Sequence, residues 1–461
     1  MKDNAAASGQ DHCGEERPTC LQCQRGGRAC PGYAREMKFV DEGPKIKNRH
    51  RTKNRRLADS TRERATTKKA VPKQLEREKQ DHIAEVNLML VRPGTMKAQR
   101  DQIVYSFVSA LFPLGSSDVQ TSFFGSWLWH LPPRLGNSTV LDHAALSVAW
   151  AYFARMFGDK TALQNAEISY AYAVKNLALA ISDPNQQLTS NVLCATLLLG
   201  HYETFVNVSY AWIRHAGGAA RLMQLRGAEC CYSSAFEYSM FLTCRGAIIA
   251  EALNSRKPCV LEAESWQKIP DGLIEFPLLP RSPHMYHEIF SYFAAIPGLE
   301  SRVQQCKENT RLPLLRIARK LQQDMQQWYQ KFTSLDGGSR KPQIVSPVSK
   351  SCPVHSRYEY RDILSASILT TYYAYMILLG QILYTLNPDD TEIQRSFDLA
   401  ISICMSIDYC LHAGYCGTQT MRFSLPIAHS ALPSQYHQWT NAWMGRFSAL
   451  MEATMIQPLY S

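Results

Sequence analysis

The sequence predicts a mainly α protein in three parts: a small cysteine-rich module at 1–33, a basic, largely disordered linker at 34–95 and a large all-α helical array at 96–461. Three observations carry that expectation. Four of the 14 cysteines lie between Cys13 and Cys30, spaced C-x6-C-x2-C-x6-C. Cationic residues crowd the stretch that follows. From about residue 96, long apolar patterns of helical period alternate with short polar breaks, while strict period-2 alternation is scarce and no βαβ rhythm appears.

Charge supports the division. The chain of 461 residues carries 50 Lys/Arg and 40 Asp/Glu, a net charge of +10. Residues 1–79 hold 20 of the cations and 11 of the acids, and the remainder is almost balanced at 30 and 29. The excess therefore belongs to an N-terminal arm, which points to a polyanionic partner or an import receptor. A hydrophobic content of 45% with 20% charged residues suits a globular chain with a large core. Met1–Gln10 is polar and lacks the apolar core of a secretory signal, so the cysteines are expected as reduced thiols and the sequons at Asn137 and Asn207 carry no weight.

In the head, "DHCGEERPTCLQCQRGGRACPGY" (11–33) has almost no apolar side chains with which to build a core. Thiolates at C-x2-C spacing grip a tetrahedral ion from a tight turn, and a more distant pair closes the site. Cys13, Cys20, Cys23 and Cys30 are the candidate metal ligands, and zinc is the expected ion, at most one for this chain. Metal contributes folding energy on the order of 10 kcal/mol in such small modules.

The linker holds "KIKNRHRTKNRR", in which Lys45, Lys47, Arg49, Arg51, Lys53, Arg55 and Arg56 occur without an acid. That density suits phosphate contact, which is salt-sensitive and blind to sequence, or a nuclear import signal. Leu75, Ile83, Val86 and Leu90 suggest one short helix, which Pro72 bars from extending upstream.

In the array, helices are expected at 139–157, 161–181, 188–205 and 210–227, the last stopped by Gly227. Others read at about 234–254, 284–296, 298–333, 357–386, 391–413 and 434–456. Pro-rich interruptions stand at 269–284 and 337–355. The uncharged run Ile363–Tyr384 is long enough to span a bilayer, but its Ser, Thr, Tyr and Gln content makes it a buried bundle helix instead. Ten cysteines, such as Cys194, Cys244 and Cys404, fall among apolar residues and read as small core hydrophobes.

No catalytic constellation emerges. "HAGG" at His215 has no G-x-S-x-G turn to accompany it, "HEIFS" from His287 lacks the second histidine of a zinc-protease helix, and no phosphate loop occurs. His143, His201 and His215 read as core histidines, so the chain is not expected to be an enzyme.

"CGEERPTCLQCQRGGRACPGY", followed by "KFVDE", resembles the second half of the fungal Zn₂Cys₆ binuclear cluster, with Cys13, Cys20, Cys23 and Cys30 matching its third to sixth cysteines. "LLLGHYETF", "AWIRHAGGAARLMQLRG" and "YYAYMILLGQIL" resemble the fungal-specific regulatory domain of the same transcription factors. The resemblance implies a nuclear, sequence-specific regulator of RNA polymerase II genes, with a pathway-specific role such as control of a metabolite gene cluster. It implies promoter DNA containing CGG triplets as partner, homodimerisation, contact with the transcription machinery, and no membrane. Where the family has its first two cysteines this chain has Asp3 and Ala6, and where the family places its basic reading helix it has "ASGQDH", without Lys or Arg. Guanine readout in the major groove wants Arg or Lys. The favoured expectation is an upstream exon carrying C-x2-C and the basic helix. The alternative is a truncated co-regulator or protein-binding module without DNA specificity of its own.

Overall fold

The computed structural model describes residues 96–111, 126–206, 211–268, 283–346, 354 and 356–453. The four candidate zinc cysteines, the Lys45–Arg56 cluster and the short helix expected around Leu75–Leu90 lie outside the described residues.

The described chain is an array of helices: α1 Met96–Leu111, α2 Thr139–Phe157, α3 Lys160–Ser182, α4 Ser190–Val206, α5 Ala211–Arg226, α6 Ala235–Ser255 and a single turn, α7 Glu264–Gln267. Then follow α8 Pro283–Gln304, α9 Glu308–Gly338, α10 Ile363–Leu386, α11 Asp390–Met405, α12 Ile407–His412, α13 Gly414–Ala431 and α14 His437–Ala453. Local chemistry sets many of these ends. The Asp159 carboxylate accepts from the Thr161 amide at 2.7 Å and opens α3, Ser234 Oγ accepts from the Glu237 amide at 3.2 Å and opens α6, and Asp362 caps α10 through the Ser365 amide at 2.7 Å. Gly227, as expected, ends α5 with φ of 82°, and its amide closes on the Met223 carbonyl at 3.0 Å.

Two helices organise the packing. α2 lies against α1, α3 and α4. Its Ala144, Ala145 and Ala149 are buried, as are Ala162, Ala166 and Ala173 of α3, and such small side chains suit close helix approach. α10 lies against α9, α11 and α13, and its most apolar stretch is 89% buried. This is the bundle helix expected from its polar content; among the described residues no other helix is long and apolar enough to cross a membrane. α14 returns to touch α2 and α4. The core is aromatic: Phe293 of α8 stacks on Tyr375 of α10 at 4.2 Å, and Trp328 of α9 donates to the Met285 carbonyl of α8 at 2.7 Å.

Several sequence expectations need correction. α8 does not stop at Pro297 but runs through it to Gln304. One amide donor is lost there, while Ile296 and Leu299 are buried on either side, and that packing outweighs the missing bond. Residues 357–359 are not helical. They form β2 (Arg357–Glu359), antiparallel to β1 (Gln343–Val345) with Ile344 opposite Tyr358, and the Tyr360 hydroxyl meets Ser406 Oγ at 2.7 Å. The single helix expected at 391–413 is two, α11 and α12, divided at Ser406, whose Oγ donates back to the Ser402 carbonyl at 2.8 Å. α13 was not expected as a helix, because Gly414, Gly417 and Pro426 all argue locally against one.

Candidate functional site

The residues singled out for metal and DNA contact lie outside the described residues, so the helical domain must be read for itself. Among the described residues no group of three or more His, Cys, Asp and Glu is placed to hold a metal ion. Burial pushes His201 and His287 down to about 4, and His215 is lowered for the same reason. These imidazoles are neutral at physiological pH and are not poised for proton transfer. Cys194, Cys231, Cys244, Cys259, Cys404 and Cys410 are buried. Burial pushes the Cys259 thiol up to about 11 and the Cys231 and Cys410 thiols up to about 12, so they behave as inert core hydrophobes.

The polar feature that the fold builds lies where α5, the turn Ala228–Tyr232, α6 and α8 meet. At one end, Arg226 forms a two-pronged pair with Glu237, Nη1 to Oε2 at 2.9 Å and Nη2 to Oε1 at 2.5 Å. The side chains are only 7% and 4% exposed. Arg226 Nε also donates to the Leu188 carbonyl at 3.0 Å, so the charge is neutralised and its fork is largely engaged.

Two turns further along α6, Arg245 is 2% exposed and has no such partner. Among the described residues none of its three guanidinium nitrogens has a hydrogen-bond acceptor. The guanidinium carbon lies 4.2 Å from the centre of the Phe290 ring on α8 and 5.3 Å from that of Phe241. Burial lowers its pKa to about 10, partly offset by Tyr238, Tyr232 and Cys244; it therefore remains charged near neutrality. An uncompensated buried charge costs several kcal/mol. Around it, Tyr232 and His287 each bring a buried polar atom without a partner among the described residues, Oη and Nδ1. His287 Nε2 lies 3.0 Å from the Gln267 carbonyl, which makes Nε2 the donor and leaves Nδ1 as an acceptor. Trp266 lies 6.1 Å from Phe241 between ring centres.

This cluster was missed in the sequence. Its local signal is one cation inside "MFLTCRGAIIA", an apolar stretch of α6. Whether a carboxylate answers that cation depends on residues far away in the chain.

Among the described residues, the buried cation Arg245 is the polar feature that the fold leaves without a carboxylate partner. Residues 105–448 match the family described as the fungal specific transcription factor domain, and the chain belongs to that family. These are transcription-regulatory domains and not a family of enzymes. An uncharacterised protein of Emericella nidulans is 26% identical over 218 residues, which are 46% of each chain. The match thus spans about half the length of that relative. No solved structure matches.

Proposed function

We propose that this chain is a nuclear, sequence-specific regulator of genes transcribed by RNA polymerase II, with an N-terminal zinc module that addresses promoter DNA. The observation that carries the reading is the pairing of a regulatory domain over 105–448 with four thiols at metal-binding spacing in the first 30 residues. In this reading Cys13, Cys20, Cys23 and Cys30 hold one zinc ion, and the Lys45–Arg56 cluster supplies phosphate contacts and import. The second reading, a co-regulator without DNA specificity of its own, is favoured by Asp3, Ala6 and the cation-free "ASGQDH".

A gel-shift panel separates the two. Retention of CGG-containing duplexes over scrambled ones supports the specific reader, and salt-labile smearing on every duplex supports the co-regulator. Replacing Arg49, Arg51, Lys53, Arg55 and Arg56 with alanine is expected to move a fluorescent fusion out of the nucleus. The same change should flatten the salt dependence of DNA binding by about 0.9 in log–log slope for each phosphate that is no longer neutralised. A fusion that stays nuclear would place import elsewhere.

Elemental analysis of the purified chain is expected to give at most one zinc, lost when Cys20 and Cys23 are replaced by serine. Four thiolates complete one tetrahedron and cannot form the family's bridged pair of ions. Two zinc ions per chain would refute the assignment.

A further inference from the structure

We infer that Arg245 anchors a buried site for a small monocarboxylate, enclosed by α6, α8 and the turn Ala228–Tyr232. The inference concerns the helical domain alone and holds whichever reading of the N-terminal module is right.

A guanidinium presents its N–H groups in its own plane, and a carboxylate meets that fork with two parallel bonds. Phe290 and Phe241 stabilise the cation electrostatically, but no protein oxygen among the described residues accepts from Nε, Nη1 or Nη2. The Glu237 carboxylate cannot serve, since both of its oxygens are engaged by Arg226. Native proteins seldom leave buried donors unanswered, and an exception calls for a physical account.

The surroundings select the ligand's class. Arg245 supplies one positive charge, and His287, pushed down by burial and by Arg245 itself, adds none at neutral pH. One negative charge balances the site; a phosphate dianion would leave a second charge buried. The Tyr232 hydroxyl is held protonated by burial, so it can donate to the same carboxylate. His287 Nδ1 is an acceptor, which favours a ligand with a hydroxyl or amino group near its carboxylate. Phe241, Phe290 and Trp266 offer an apolar wall for the ligand's body.

The test is a thermal-unfolding titration of the full chain with sodium acetate, butyrate, mandelate and phenylacetate, each matched to sodium chloride at the same ionic strength. Benzamide and sodium phosphate complete the panel. At least one monocarboxylate is expected to raise the midpoint saturably, by about 3 °C at 100-fold excess over its dissociation constant. The rise should vanish in Arg245→Met and require roughly tenfold more ligand in Tyr232→Phe. Arg245→Met removes a buried charge and keeps the side-chain length, so it should fold with an unliganded midpoint at or above that of the parent. The inference is overturned if no monocarboxylate exceeds its chloride control, if Arg245→Met responds like the parent, or if phosphate alone stabilises. DNA retention is read on gels and this binding by heat, so either can fail without the other.

Discussion

Gly417→Ala is expected to lower the unfolding midpoint by roughly 5–10 °C, a loss of about 3 kcal/mol. A Cβ built on Gly417 would lie 2.0 Å from the carbonyl oxygen of Cys410, 2.7 Å from its carbonyl carbon and 2.8 Å from its Cα. These are backbone atoms, and no rotamer change relieves the overlap. Nor can α12 retreat easily. Cys410 is fully buried, its amide is held by the Ser406 carbonyl at 3.0 Å, and α12 also packs on β2 and α10. On the other side, Met421 and Leu425 fix α13 in the core. Gly445→Ala, at an exposed position of α14, is the matched control. Its Cβ would meet nothing within 4 Å, so it should stabilise by roughly 0.4–1 kcal/mol through the unfolded chain. If Gly417→Ala melted with the parent, the packing of α12 on α13 would have to be redrawn.

Removing one half of the Arg226–Glu237 pair is expected to cost about 3–5 kcal/mol, as either Glu237→Ala or Arg226→Ala. Both side chains are more than nine-tenths buried. The survivor would be an unpaired charge between α5 and α6, shielded from solvent. The double change Arg226→Met with Glu237→Leu should recover most of that loss, because apolar groups of similar volume need no counter-ion. A double-mutant cycle by urea unfolding reads the coupling directly. Single variants that lose less than about 1 kcal/mol would mean that the pair is solvated. This pair is also the internal contrast for Arg245: the two arginines approach or lie on the same helix, and only one finds a carboxylate among the described residues.

The sequence by itself determined the mainly α class and most of the helix boundaries between residues 139 and 255. Asp159, Ser234 and Gly227 act within a few residues of their own positions, so caps and stops are legible locally. It also marked the Ile363–Leu386 helix as a core element, since hydroxyls and an amide in an uncharged run suit a protein interior better than lipid. The thiol spacing of the head and the basic cluster of the linker stand in the sequence, and both lie outside the described residues. Tertiary structure decided the rest. Pro297 continues a helix because Ile296 and Leu299 reach the core. The tyrosines at 358 and 360 face Ser402 and Ser406 rather than starting α10. α13 forms despite its glycines and Pro426 because α10, α11, α12 and α14 surround it. The fates of Arg226 and Arg245 were illegible for the same reason. A charge inside an apolar helix is neutral to local pattern, and its meaning depends on which distant oxygen the fold brings within about 3 Å.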